Sequence, residues 1–92
     1  MKKMRFILSE NERVLVNVDN VASLCVQSKR LEGGNWQIVA MYPAVSTDVL
    51  CDILAEFEKE DDCKSAFNSL LVSLSLGTKI TNMRDCIKPF KL

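Results

Sequence analysis

The stretch D-D-C-K-S-A-F-N-S-L-L-V-S-L-S-L-G at residues 61–77 decides the fold of this chain. Its apolar side chains recur every three or four residues, which is the spacing of one face of an α-helix. They are Cys63, Ala66, Phe67, Leu70, Leu71 and Leu74. Acidic residues before this stripe favour a helix start, and Gly77 stands where a helix C-cap belongs. The pattern predicts one long helix within residues 57–77.

The chain before this helix has β-type character. Four segments rich in valine, isoleucine and aromatic residues are separated by short polar turns, and they are residues 5–9, 13–18, 21–28 and 36–42. The Gly33-Gly34 pair before the last of them predicts a hairpin. Pro43 ends that strand because proline cannot donate to a ladder. We expect Trp36, Ile38, Ala40 and Tyr42 to share one face.

Residues 47–57, T-D-V-L-C-D-I-L-A-E-F, fit two structures. As a helix the segment has apolar residues at Val49, Leu50, Ile53, Leu54 and Phe57. As a strand it alternates, and one face then carries Val49, Cys51, Ile53, Ala55 and Phe57. Periodicity alone does not decide between them. We favour the strand because it leads directly into the predicted helix.

The predicted fold class is α+β, an antiparallel β-meander of four to five strands with one C-terminal amphipathic helix packed on one face. A chain of 92 residues is expected to form a single domain spanning residues 1–92. Its core is expected within residues 5–77. Residues 78–92 are predicted to be a C-terminal tail, since their apolar residues are sparse and Pro89 opposes a long terminal helix. A short extra strand near residues 79–83 is the alternative for the start of this region.

Charge and cysteine content limit the classes of function. Twelve basic and twelve acidic residues give a formal net charge of zero. A dedicated nucleic-acid-binding protein usually has positive net charge, so nucleic acid is a disfavoured partner. The four cysteines match no zinc or redox spacing, and no apolar leader follows the N-terminal lysines. We expect a cytoplasmic protein with free thiols and no membrane span.

The equipment of common active sites is missing from the sequence. The chain has no histidine to act as a general base, no glycine-rich phosphate loop and no spaced calcium-binding loop. We therefore expect no enzymatic activity, no cofactor and no metal site.

Three segments of the chain resemble a group of short uncharacterised proteins of phages and low-GC bacteria. They are F-I-L-S at residues 6–9, V-N-V-D-N-V at residues 16–21 and A-E-F-E-K-E-D-D-C-K-S-A-F at residues 55–67. The resemblance covers roughly residues 5–74. It implies a small β-meander followed by one C-terminal helix, and it brings no established activity. The residues after Gly77 exceed the usual short ending of that group.

Three surfaces are candidates for binding. The acidic residues around the helix start form a candidate partner surface, consisting of Glu56, Glu58, Glu60, Asp61 and Asp62. Apolar residues expected to point outward form a candidate homodimer surface, consisting of Leu50, Leu54, Val72 and Leu76. Trp36 and Tyr42, on one strand face, are candidates for stacking on nucleic-acid bases.

The function expected from the sequence is a non-enzymatic protein-interaction module, encoded by a phage or mobile element and acting on a host protein. A nucleic-acid-binding module is one alternative. A homo-oligomer that sequesters a nucleotide or another small ligand is a second alternative.

Overall fold

The computed structural model describes residues 5–28, 35–43 and 51–87, which form two three-stranded sheets and one main helix. The strands are β1 (Phe6–Leu8), β2 (Leu15–Asn17), β3 (Ser23–Ser28), β4 (Trp36–Met41), β5 (Cys51–Phe57) and β6 (Ile80–Asn82). The helices are α1 (Glu60–Ser75) and α2 (Met83–Ile87), and a 3₁₀ turn spans Val18–Asn20. The predicted α+β class is confirmed.

The prediction of a single meander is wrong, because the strands divide between two sheets. In the first sheet, β1 lies between β2, which is antiparallel to it, and β6, which is parallel to it. The 3₁₀ turn ends β2 and redirects the chain. The side chain of Asn17 accepts a hydrogen bond from the amide of Asp19 at 3.0 Å, which fixes this turn.

The second sheet is an antiparallel meander in the order β3, β4, β5. Residues 51–57 are a strand, as favoured from the sequence, while residues 47–50 lie outside the described residues, as does the Gly33-Gly34 pair. Trp36, Ile38, Ala40 and Tyr42 all contact the hydrophobic core, which confirms their common face.

A β-bulge at Leu54 changes which side chains of β5 point inward. Ile38 pairs with Ala55, whereas the next residue, Val39, pairs with Ile53, so Leu54 is the additional residue. Leu54 and Ala55 are consequently both buried. Strict alternation had placed Leu54 on the outward face. The bulge breaks that alternation and leaves Leu54 only 1% exposed.

The helix predicted from the apolar stripe is α1. The helix begins at Glu60, after β5 has ended at Phe57. Gly77, with a left-handed φ of 79°, follows the end of the helix. The buried residues are Cys63, Ala66, Leu70 and Leu74, while Leu71 is 42% exposed. The helix is not C-terminal, since β6 and α2 follow it.

The region predicted to be a tail contributes to the core. β6 completes the first sheet, and Met83, Cys86 and Ile87 of α2 belong to the same buried cluster as residues of α1 and β4. The core therefore extends ten residues beyond the expected limit at residue 77, to residue 87. Among the described residues, none of the helices has the length and apolarity needed to cross a membrane.

Candidate functional site

The turn between β1 and β2 is held by the side chain of Ser9, which is buried. The Ser9 hydroxyl donates to Oδ1 of Asn11 at 2.6 Å and accepts from the amide of Val14 at 3.1 Å. Glu12 has a left-handed φ of 60°, which the tight turn requires. This geometry directs Glu10 towards the second sheet.

Glu10 connects the two sheets at the bulge of β5. Its amide donates to the carbonyl oxygen of Leu54 at 2.8 Å, and its Oε2 accepts from the amide of Glu56 at 3.5 Å. Both contacts are made along the outer edge of β5. The edge is thereby covered by a turn that is 44 residues distant from Leu54 in sequence.

Arg84 of α2 holds this turn from the other side. Its Nε donates to the carbonyl oxygen of Glu10 at 3.0 Å, and its Nη1 lies 2.9 Å from Oε1 of Glu12. The ion pair is exposed, so its main effect is to position the turn rather than to add stability.

A groove of about 500 Å³ lies between this turn, the end of β5 and the start of α1. We call it the acidic groove, and its residues are Glu10, Asn35, Glu56, Phe57, Glu58, Lys59 and Asp62. Four of these side chains are carboxylates and one is an amine. A second hollow of about 340 Å³ along β5 shares Glu10 and Glu56 with it. Among the described residues that line the groove, acidic side chains therefore outnumber basic ones, and they lie next to a sheet edge.

A chain of side-chain hydrogen bonds orients Glu56. Nε2 of Gln27 donates to Oε1 of Gln37 at 3.3 Å, and Nε2 of Gln37 donates to Oε1 of Glu56 at 2.5 Å. Gln37, on the central strand, is only 1% exposed. A short hydrogen bond from a buried amide to a carboxylate holds Glu56 in one position at the rim of the groove.

The predicted partner surface is divided by the structure. Glu56, Glu58 and Asp62 line the acidic groove, whereas Glu60 and Asp61 do not. Glu60 instead forms an ion pair of 2.6 Å with Lys64, and this hydrogen-bonded partner raises the pKa of the Lys64 amine. The sequence did not identify Glu10 as part of this surface, because its pattern indicates only a polar turn at residues 10–12. No local pattern shows that a turn at residue 10 meets residue 56.

The predicted dimer surface does not remain intact. Leu54 is buried beneath the β5 bulge and is not available to a second chain. Val72 is 57% exposed and Leu76 is 79% exposed, as expected for an outward helix face. Leu50 lies outside the described residues.

Trp36 begins β4 and Tyr42 directly follows its last residue, and both rings pack partly against the core. The hydroxyl of Tyr42 donates to Oδ2 of Asp52 at 2.6 Å. Burial, together with this hydrogen bond and the negative charge of Asp52, raises the pKa of Tyr42 to about 12. The six-residue separation along a strand places the two residues about 20 Å apart.

All four cysteines are free thiols in the structure. Cys63 is fully buried in the stripe of α1. Burial and the neighbouring charge of Asp85 raise the pKa of Cys86, which disfavours its thiolate. Within residues 5–28, 35–43 and 51–87, no group of three histidine, cysteine or acidic side chains is arranged to hold a metal ion.

Comparison with known proteins gives no relative, since no family model, curated protein or solved structure matches the chain significantly.

Proposed function

We propose that this chain is a non-enzymatic protein-interaction module whose acidic groove receives a basic segment of a partner protein. The observation that carries the proposal is the convergence of Glu10, Glu56, Glu58 and Asp62, from three separate elements, on one groove. Carboxylates in a concave site attract cationic side chains over a longer range than scattered surface charges do.

The chemistry of the groove favours arginine or lysine over other side chains. A guanidinium can bond a carboxylate with two parallel hydrogen bonds, and a hydrogen-bonded carboxylate such as that of Glu56 is already oriented for this contact. The adjoining hollow includes the exposed Ile53, which offers an apolar contact to the stem of a long basic side chain.

The resemblance of residues 5–74 to short phage and low-GC bacterial proteins supports a source on a phage or mobile element. In that case the partner is a host protein, and the four free thiols fit an encounter in the reducing cytoplasm.

Affinity capture from nuclease-treated lysate of the source organism tests this function. The groove variant E58Q/D62N removes two carboxylates from the acidic groove. The matched control E60Q/D61N removes two carboxylates from the first turn of α1, both of them outside the groove. We expect one stoichiometric protein partner with wild type and with the control, and at least a tenfold loss with the groove variant. Equal capture by both variants, or capture that depends on nucleic acid, would contradict the proposal.

A further inference from the structure

The two edges of the second sheet differ in how they are protected. β5 carries Asp52 and Glu56, contains the bulge at Leu54 and is covered by the turn at Glu10. Charges, bulges and covering loops are the devices by which proteins prevent an edge strand from pairing with another chain. β3, the opposite edge, has the sequence S-L-C-V-Q-S, without charge, proline or glycine, and its six residues pair with β4 in unbroken register.

No strand in the described part of the chain pairs with the outer side of β3. The alternation of an antiparallel ladder shows which backbone groups point there. The carbonyl of Leu54 and the amide of Glu56 point away from β4. The amide and carbonyl of Ala55, the residue between them, therefore point towards its partner Ile38 on β4. The amide and carbonyl of Val39, which follows Ile38 on β4, therefore point towards β3.

The partner of Val39 on β3 is Cys25, so the amide and carbonyl of Cys25 point towards β4. Leu24 and Val26, on either side of Cys25, present their amides and carbonyls to the outer edge. Their side chains pack against the core cluster but are only half-buried, because the sheet ends at this strand. Backbone groups that no described strand pairs with, and partly exposed apolar side chains, thus occur at the same two residues.

We propose that β3 pairs antiparallel with β3 of a second copy of this chain, joining two three-stranded sheets into one sheet of six strands. A two-fold axis perpendicular to the sheet makes such a contact self-complementary. With the axis at Cys25, Leu24 lies opposite Val26 of the second copy, and the apolar core face continues across the junction.

Charge favours a second copy as the occupant of this edge. β3 has no charged side chain, so two copies bring no like charges opposite one another. The net charge of the chain is zero, and approach of a second copy meets no long-range repulsion. The exposed residues of the opposite face, Ser23 and Gln27, are small or uncharged and leave room for the pairing.

The two acidic grooves remain open in this dimer because each lies at β5, on the outer side of the joined sheet. The dimer does not depend on the proposed function, and its test is independent of any partner. If both proposals hold, a partner with two basic segments gains avidity from the pair of grooves.

Sedimentation velocity over a range up to high micromolar concentration tests the dimer. The variant S23K/Q27K places lysines on exposed positions of β3, where they repel across the two-fold axis. The matched control N20K/N68K adds the same charge at exposed positions outside β3. We expect dimers for wild type and control, and a shift of at least tenfold in the dissociation constant towards monomer for S23K/Q27K.

Hydrogen–deuterium exchange on the wild-type protein provides a second measurement that does not depend on a variant folding. We expect the amides of Leu24 and Val26 to exchange more slowly as the protein concentration rises. A wild type that stays monomeric, a dimer that persists in S23K/Q27K, or exchange at these amides that is independent of concentration would each overturn the proposal. Loss of the dimer only on V72K/L76K would assign the contact to α1 and overturn it as well.

Discussion

At the scale of single residues, Gln37 decides how the acidic groove is organised. Its buried side chain lies between Gln27 and Glu56. It accepts a hydrogen bond from the amide of Gln27 and donates one to the carboxylate of Glu56. A glutamine at this position of a strand gives no signal in the sequence, since the alternation of β4 predicts only that it faces away from Trp36. Its role depends on the register between three strands, which no local pattern specifies.

Replacement of Gln37 by leucine keeps the volume but removes the donor to Glu56. We expect a loss of about 1–3 kcal/mol in the free energy of unfolding, because a carboxylate and an amide lose their buried partner. Urea denaturation measures this change. Gln27 is exposed, and Q27L is expected to change stability by no more than about 0.5 kcal/mol. Equal effects of the two substitutions would show that Gln37 does not act through this network.

Tyr42 provides a prediction about pH. Its pKa is about 12 in the folded protein against 10.0 for an unperturbed tyrosine, so the native state retains the phenolic proton more tightly. The stability gained from this group is complete below pH 10 and is lost as the pH rises through about 12. Since the chain has a single tyrosine, phenolate absorbance during alkaline titration reports it directly.

The variant D52N separates the causes of this shift. Removing the negative charge of Asp52 should lower the Tyr42 pKa, while the remaining burial keeps it above the unperturbed value. A wild-type titration midpoint at the unperturbed value would contradict the contact between Tyr42 and Asp52.

At the scale of elements, the sequence predicted what depends on local periodicity. The stripe of α1 and the strands of the second sheet follow from apolar spacings of three to four or two residues, and the left-handed Gly77 marks the end of the helix. The parallel pairing of β6 with β1 was missed because it joins residues more than 70 apart and because a three-residue strand has almost no pattern. The β5 bulge was missed for a related reason, since it depends on pairing and not on composition.

The packing of α2 gives a prediction about the region expected to be a tail. Met83 is fully buried in the core cluster, so M83A should lower the free energy of unfolding by about 2–5 kcal/mol. Ile80, three residues earlier, is 58% exposed, and I80A should change it by about 0.5 kcal/mol. Chemical denaturation of the two variants measures both values. A small effect of M83A would mean that residues 80–87 do not belong to the cooperative core.

At the scale of the whole molecule, binding is expected to occur at a surface assembled from distant segments. The acidic groove combines a turn near the N-terminus, the end of β5 and the first turn of α1. Arg84 of α2 donates a hydrogen bond to the carbonyl oxygen of Glu10 and so holds that turn in place. From the sequence, three of the four carboxylates of this site could be predicted, because Glu56, Glu58 and Asp62 are close together along the chain. Glu10 could not be, because only the tertiary fold brings it to them.

The measurement that tests the central claim most directly is a ¹H–¹⁵N correlation titration with a short arginine-containing peptide. The acidic groove predicts that the largest shifts occur at the amides of Glu10, Glu56, Glu58 and Asp62, and that E58Q/D62N reduces them while E60Q/D61N does not. Shifts that follow all acidic residues equally, or that are as large in E58Q/D62N as in wild type, would contradict a groove that binds cationic side chains.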